Sequence, residues 1–306
     1  MSPRTSLFIR IGSVSTAIIA AILVIQLFTH STLPGQDTII NTPIHPAFKI
    51  PKELTFCDES VPLNRDDIRE SLDREIQVNA YWHSQTLLFI KRANRYFPVI
   101  EPILKAEGVP DDFKYLAVIE SSLMTRALSP AGACGLWQFM GETAKSFGLE
   151  VNKEVDERYH IEKSTVAACR YLKASKQKLG TWTLAAASYN AGMAGVNKQI
   201  EIQKESNYYD LLFGEETGRY VFRIIAVKEI LSNPQQYGFY IQSDDLYKPY
   251  ETTEIEVKDS ITDFAIFAKT HGTNYKTLKN LNPWLRDTKL TNATKKSYLI
   301  KLPVSE

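Results

Sequence analysis

The stretch FKYLAVIE, residues 113–120, decides the fold class, because it predicts an apolar helix that ends in a carboxyl group. A carboxyl group on a buried helix face is costly while it is ionised, so we expect the pKa of Glu120 to be raised. A carboxylic acid that keeps its proton near neutral pH can serve as a general acid. A structural glutamate, snorkelling to solvent or capping a helix, is the alternative. The expected apolar face comprises Phe113, Leu116, Ala117, Glu120, Leu123 and Met124.

Helical patterning also dominates the chain around this stretch. Gly108–Asp112 is a turn that precedes the Glu120 helix, Gly180 ends a long helix, and Gly192 and Gly195 interrupt a later one. Residues 63–245 are therefore predicted to form one mostly α domain. Its other predicted helices span residues 66–78, 81–95, 97–106, 142–147, 161–179, 183–188 and 217–231.

The pattern changes after Tyr250. Residues 254–257 alternate as a strand, two short helical patterns follow, and residues 297–303 read as a second strand. The two helices are expected at 261–270 and 275–280, with a turn at Asn282-Pro283. Residues 253–304 are thus predicted to form a small βααβ domain.

The N-terminal segment has the composition of a membrane anchor. Arg4 and Arg10 precede an uncharged apolar stretch from Ile11 to Phe28, which is long enough to span a bilayer. This charge bias places the N-terminus in the cytoplasm and the rest of the chain across the membrane, in the periplasm or an equivalent compartment. A cleaved signal peptide is the alternative, but no convincing small-x-small cleavage site follows Phe28. We predict residues 1–28 as one transmembrane helix and the proline-containing residues 29–62 as a linker.

Composition excludes several classes of protein. Apolar residues make up 44% and charged residues 23%, which is ordinary for a globular protein, and the net charge of +1 argues against nucleic-acid binding. The three cysteines and five histidines fit no zinc signature, so neither a metal nor another cofactor is expected. A Cys134–Cys169 disulfide is conceivable, but two unpaired core cysteines are the preferred interpretation.

Four short motifs are each weak evidence alone, but their order and separation along the chain are specific. Together they resemble the lytic murein transglycosylases, and more narrowly the membrane-bound type D group with its soluble-lytic-transglycosylase-like catalytic domain. The resemblance covers about residues 95–240 and implies a mainly α, lysozyme-like fold of the goose type that acts on peptidoglycan glycan strands. The motifs are Glu120-Ser121, Ser129-Pro130 with Gly132-Ala133-x-Gly135-Leu136-x-Gln138, Tyr189-Asn190-Ala191-Gly192, and Glu216-Thr217-x-x-Tyr220.

The resemblance also implies roles for individual residues. Glu120 would be the sole catalytic acid and base, cleaving the MurNAc-GlcNAc β-1,4 bond and leaving a 1,6-anhydro end. Six further residues would bind substrate or shape the cleft. For Met140 and Asn190, core filling and turn formation are equally good explanations. Ser129 would hydrogen-bond the N-acetyl or catalytic-site groups, Gln138 would hold the sugar or the peptide stem, and Met140 would wall the cleft. Tyr189 would lie against the saccharide beside Glu120, Asn190 would support the backbone turn, and Glu216 would bind substrate or join the polar network of the site.

Residues 255–303 resemble a LysM peptidoglycan-binding module. Asp259-Ser260-Ile261 stands where that family usually has Gly-Asp-Thr-Leu, so the opening motif is degenerate, whereas Asn282-Pro283 and the terminal strand fit. We expect a monomer that is membrane-anchored and binds glycan strands. A hydrolytic muramidase on the same scaffold and a non-catalytic wall-binding protein are the alternatives.

Overall fold

Amphipathic helices build most of the structure, a computed structural model that describes residues 47–304. The predicted anchor and much of the predicted linker lie outside this range. Within it, no helix is long and apolar enough to cross a membrane. The elements are β1 (Thr55–Phe56), β2 (Glu59–Ser60), α1 (Asp66–Tyr81), α2 (His83–Ala106), α3 (Lys114–Ser121), α4 (Gly141–Ser146), α5 (Ile161–Leu179), α6 (Trp182–Gln203), α7 (Glu215–Ser232), β3 (Thr252–Val257), α8 (Phe264–Thr270), α9 (Tyr275–Leu281) and β4 (Tyr298–Pro303).

Helix α3, formed by the deciding stretch, lies in the middle of the helical part. Residues 115–118 are all buried, and the helix packs against α2 and α7. It ends because Ser122 and Leu123 both adopt positive φ angles. Helical spacing therefore no longer applies beyond them, and the prediction that Met124 continues the apolar face is wrong, since its side chain is 47% exposed. Leu123 is buried as predicted.

Helix α2 joins two helices that the sequence pattern separates. It runs from His83 to Ala106 with Pro98 and Pro102 inside it. Proline removes a backbone donor and normally breaks a helix. Both prolines lie on the exposed face, while the opposite face packs in the core through Phe89, Ala93, Ile100 and Leu104. We infer that this burial offsets the missing hydrogen bonds.

The N-terminal hairpin of β1 and β2 belongs to the folded core. Phe56 is completely buried. The Glu59 carboxylate accepts hydrogen bonds from the backbone N–H groups of Trp182 (2.6 Å) and Thr183 (2.8 Å), and so caps the start of α6. The predicted extended linker therefore does not reach Pro62.

The C-terminal residues adopt the predicted βααβ order. Strands β3 and β4 pair antiparallel, with Ile255 opposite Ile300. The first helix begins at Phe264 rather than at residue 261, because the Asp263 side chain caps it by accepting from the N–H groups of residues 265 and 266. The hydrophobic core of this part also takes in Cys134, Val155 and Tyr159 from the helical part.

Candidate active site

Glu120 occupies the last turn of α3, and its side chain is partly buried. Burial raises the pKa of this carboxyl group to about 7; the nearby charge of Glu216 adds to the shift, and the Tyr220 hydrogen bond and Arg223 oppose it. The predicted rise in pKa is thereby confirmed. A carboxyl group with this pKa is present in both protonation states at neutral pH.

The hydroxyl of Tyr220 donates a hydrogen bond to Oε1 of Glu120. Tyr220 is buried in α7, and burial together with the Glu120 charge raises the pKa of its hydroxyl well above the ordinary value. The phenol therefore remains a donor and fixes the orientation of the carboxyl group. Tyr220 lies in the Glu216-Thr217-x-x-Tyr220 motif, which predicts no role for it. Its spacing of four residues from Glu216, one helical turn, is the signal that could have placed both near Glu120.

Helix α6 contributes Tyr189 and Asn190 just before a kink. Gly192 has φ 74° and ψ 150°, a conformation that favours glycine, and it interrupts the helix there. Asn190 Nδ2 donates to Glu216 Oε1 (3.0 Å), and the hydroxyl of Thr217 donates to Asn190 Oδ1 (2.7 Å). These bonds tie the kink in α6 to the first turn of α7. Substrate contact by Asn190 and Glu216 stays a prediction.

Tyr189 connects α6 to the loop that carries Gln138. Its hydroxyl donates to the carbonyl oxygen of Trp137 (2.9 Å), and its ring lies against Phe139 and Tyr171. Burial raises the pKa of Tyr189 well above its ordinary value, with the Glu120 charge as the next cause. Tyr189 thus lies near Glu120 and anchors the loop.

Two side chains of the loop from Ser129 to Met140 bond to the backbone of the same loop. The hydroxyl of Ser129 accepts from the N–H of Ala133 (2.9 Å), and Gln138 Nε2 donates to the carbonyl oxygen of Gly135 (2.8 Å). Gln138 has a positive φ of 48°. The sugar contacts predicted for Ser129 and Gln138 stay predictions. Met140, at the start of α4, is 46% exposed and available to wall a cleft.

Arg158, which lies in none of the four motifs, holds this loop. Its guanidinium donates to the carbonyl oxygens of Gly132 (2.9 Å) and Phe139 (3.2 Å) and is gripped by both carboxylate oxygens of Asp156 (2.9 and 2.7 Å). At Gly135, where φ is +77°, an added Cβ would lie 2.0 Å from the Arg158 carbonyl oxygen. An Asp-x-Arg pair is too common in sequences to indicate a role, so only the structure reveals this contact. We call Arg158 with Asp156 the brace of the loop.

The potential metal ligands and the cysteines of the described residues are dispersed. Within residues 47–304, no group of three His, Cys, Asp or Glu side chains is arranged to hold a metal ion. Cys57, Cys134 and Cys169 are buried and unpaired, as the preferred interpretation predicted.

The comparisons with known proteins agree with the predicted resemblance. Residues 97–212 match the family model described as "Transglycosylase SLT domain". Residues 253–306 match that of the "Soluble lytic transglycosylase C-terminal LysM-like domain". The predicted resemblance to lytic murein transglycosylases with a LysM-like C-terminal part is therefore confirmed.

The names of similar proteins and solved structures also refer to lytic transglycosylases. "Membrane-bound lytic murein transglycosylase D" of Escherichia coli (strain K12) is 31% identical over 190 residues, which are 60% of this chain and 41% of the relative. The chain thus spans about two fifths of the length of that relative. The 70 kDa soluble lytic transglycosylase from E. coli is 20% identical, with a TM-score of 0.39 over 51% of this chain and 27% of its own. An inactive mutant of lytic transglycosylase Slt from Pseudomonas aeruginosa is 19% identical, with a TM-score of 0.37 over 50% of this chain and 26% of its own.

Proposed function

We propose that this chain is a peptidoglycan lytic transglycosylase that cleaves the MurNAc-GlcNAc β-1,4 bond and leaves a 1,6-anhydro-MurNAc end. The observation that carries the proposal is the environment of Glu120, a partly buried carboxyl group whose pKa burial raises to about 7 and which a protonated tyrosine orients. Both domain matches agree with this substrate.

One carboxyl group is enough for this reaction. Most glycosidases use two, one to protonate the leaving oxygen and one as base or nucleophile. Here Glu120 first gives its proton to the glycosidic oxygen as the bond to C1 of MurNAc breaks, and the 2-acetamido group of the substrate stabilises the positive charge that develops at C1. The Glu120 carboxylate then takes the proton of the 6-hydroxyl, whose oxygen attacks C1 and closes the ring. Because the nucleophile is tethered to the reacting carbon, it acts at a high effective concentration without water.

Tyr220 and two of the predicted residues, Tyr189 and Glu216, fit supporting roles in this scheme. Tyr220 holds the carboxyl group in one orientation and hydrogen-bonds its charged form, so it favours the carboxylate that must act as base. Tyr189 fixes the loop that presents Gln138 and Met140 to the glycan strand of the substrate. Glu216 disfavours ionisation of Glu120 and favours the acid needed for the first step.

The experiment that tests the proposal is the digestion of purified sacculi by the wild type and by Glu120→Gln. We expect the wild type to release muropeptides with anhydro ends and the variant to release none, although it folds. A hydrolytic muramidase would give reducing ends that are one water heavier by mass spectrometry. A non-catalytic wall-binding protein would leave the sacculi undigested in both samples.

We also propose that residues 1–28 anchor the chain as a monomer with its catalytic part outside the cytoplasm, and that the LysM-like part adds affinity for glycan strands. The name of the E. coli relative supports the anchor. Extraction of membranes with alkaline carbonate should leave the full-length chain in the pellet, whereas a chain that starts at Ala47 should be released. Light scattering of the chain from Ala47 should give the mass of a monomer.

A further inference from the structure

A groove rich in arginine lies beside the catalytic helix. Part of it is a cavity whose lining includes Arg95, Tyr96, Thr125 and the ion pair of Lys301 with Glu162. A shallower depression lined by Arg92, Arg95 and Arg126 shares Tyr96 and Thr125 with it, so the two are continuous. We call the surface formed by these three arginines the arginine groove.

The three guanidinium groups donate only to neutral oxygens. Arg92 donates to the carbonyl oxygen of Ser122 (3.0 Å), and Arg126 donates to that of Lys279 (2.6 Å). Arg95 donates to the carbonyl oxygen of Lys248 (2.8 Å) and to the hydroxyl of Tyr250 (3.2 Å). Within residues 47–304, no carboxylate lies within 4.0 Å of any of the three, the distance that defines an ion pair. Each therefore keeps donors and a full positive charge for a ligand.

Other arginines of the same chain are compensated. Arg158 is gripped by Asp156 at 2.7 Å, and Arg219 is paired with Glu75 at 2.7 Å. The excess of positive charge at the arginine groove also acts on its neighbour Lys279. Burial, together with the charges of Arg286 and Arg126, lowers the pKa of Lys279 to about 8. An anion bound there would relieve this repulsion.

Aromatic rings hold Arg95 in place. The guanidinium of Arg95 stacks over the ring of Tyr250 at 4.3 Å and lies 5.1 Å from that of Tyr247. A stacked guanidinium leaves its edge free, and that edge matches a carboxylate with two parallel hydrogen bonds. The ring of Tyr250 is 54% exposed, so the groove is open to solvent.

We infer that the arginine groove binds the carboxylates of the short peptides attached to a glycan strand while the strand lies across Glu120. This inference rests on the proposed function and names the part of the substrate that the groove takes. Arg92 donates to the backbone of Ser122, which is two residues after Glu120. Thr125 is five residues after Glu120, so the chain keeps these two residues within about 18 Å of each other. In a strand that carries peptides, the lactyl carboxyl group of MurNAc is in amide linkage and the other sugar groups are neutral hydroxyl and acetamido groups, so the peptide carboxylates are the anions that the arginines would bind.

The test measures binding, so that it does not depend on catalysis. In a Glu120→Gln background, Arg95→Gln and Arg126→Gln are compared by co-sedimentation with intact sacculi and with insoluble chitin, a β-1,4-linked glycan that carries neither peptides nor carboxylates. Arg69→Gln, which removes a charge from the exposed face of α1, is the matched control. We expect Kd for intact sacculi to rise about two- to five-fold for each arginine removed. For chitin, Kd should match that of the background.

Two outcomes would overturn the inference. An equal loss of binding to sacculi and to chitin would mean that the arginines contact sugar, and unchanged binding to both would mean that the groove takes no ligand. Circular dichroism and thermal unfolding verify that each variant folds, and Arg126→Gln is the safer variant because its side chain is exposed. Failure of the proposed function is separate, since it would appear as missing anhydro ends in the wild-type digest whatever the binding result.

Discussion

Replacing Glu120 by glutamine should stabilise the protein, by an amount that grows with pH. Burial raises the pKa of Glu120 from 4.5 to about 7. Between these values the folded protein keeps the proton and the unfolded chain loses it. Stability of the wild type therefore falls as pH rises through this window and is constant, as far as Glu120 is concerned, below and above it. Glutamine cannot ionise, so the variant lacks this loss.

The magnitude follows from the shift. One pKa unit corresponds to about 1.4 kcal/mol, and the partial exposure of the side chain reduces the full value. We expect the difference in unfolding free energy, variant minus wild type, to increase by about 2–3 kcal/mol between pH 4 and pH 8. The loss or change of the bond from Tyr220 adds an offset that does not vary with pH in this range, because that hydroxyl stays protonated.

The assay is urea unfolding of the chain from Ala47 at a series of pH values and constant ionic strength, with both proteins tested for two-state behaviour. Glu205→Gln, which removes an exposed carboxyl group, is the matched control and should leave the pH dependence of the wild type unchanged. A difference between Glu120→Gln and wild type that stays constant from pH 4 to pH 8 would refute the reasoning, since it would mean that folding does not shift the pKa of Glu120.

Three further predictions concern the groups around Glu120. Tyr220→Phe removes a hydrogen bond that lowers the pKa of Glu120, so the alkaline limb of the kcat/KM profile should move to higher pH; an unmoved limb would show that the bond does not favour the carboxylate. Gly135→Ala should lower stability by about 2–4 kcal/mol because its Cβ meets the Arg158 backbone, whereas Gly132→Ala, with positive φ but open space, should cost only about 1 kcal/mol in thermal or urea unfolding; equal costs would contradict this. Arg158→Lys keeps the charge but loses the planar fork, so kcat/KM should fall at least about ten-fold while overall helicity stays the same, and full activity would show that the brace is not needed.

Local patterns in the sequence predicted the elements that a single helical face specifies. The helix from Ile161 to Leu179 has the predicted bounds, because its apolar period is regular and Gly180 ends it. The raised pKa of Glu120 was likewise predictable, since its position on an apolar helix implies burial.

Features that depend on contacts distant in sequence could not be predicted. Phe56 looks like part of an extended linker until its contact with Phe113 is known. Helix α2 continues past Pro98 because of burial on its opposite face, which the local pattern does not reveal. Arg158 holds carbonyl groups that lie 26 and 19 residues before it, and nothing in its neighbourhood marks it for that role.

The same brace changes how the C-terminal part relates to the active site. The backbone N–H of Asp156 donates to the carbonyl oxygen of Trp284 (2.9 Å), and that of Arg286 donates to the carbonyl oxygen of Glu154 (2.7 Å). Asp156 in turn grips Arg158, which holds the loop carrying Gln138. A binding module on a flexible linker would only raise the local concentration of substrate. Because this part also shares a hydrophobic core with the helical part, it additionally fixes the segment that shapes the loop. Its contribution to activity should therefore include the geometry of the cleft, independently of any glycan it binds.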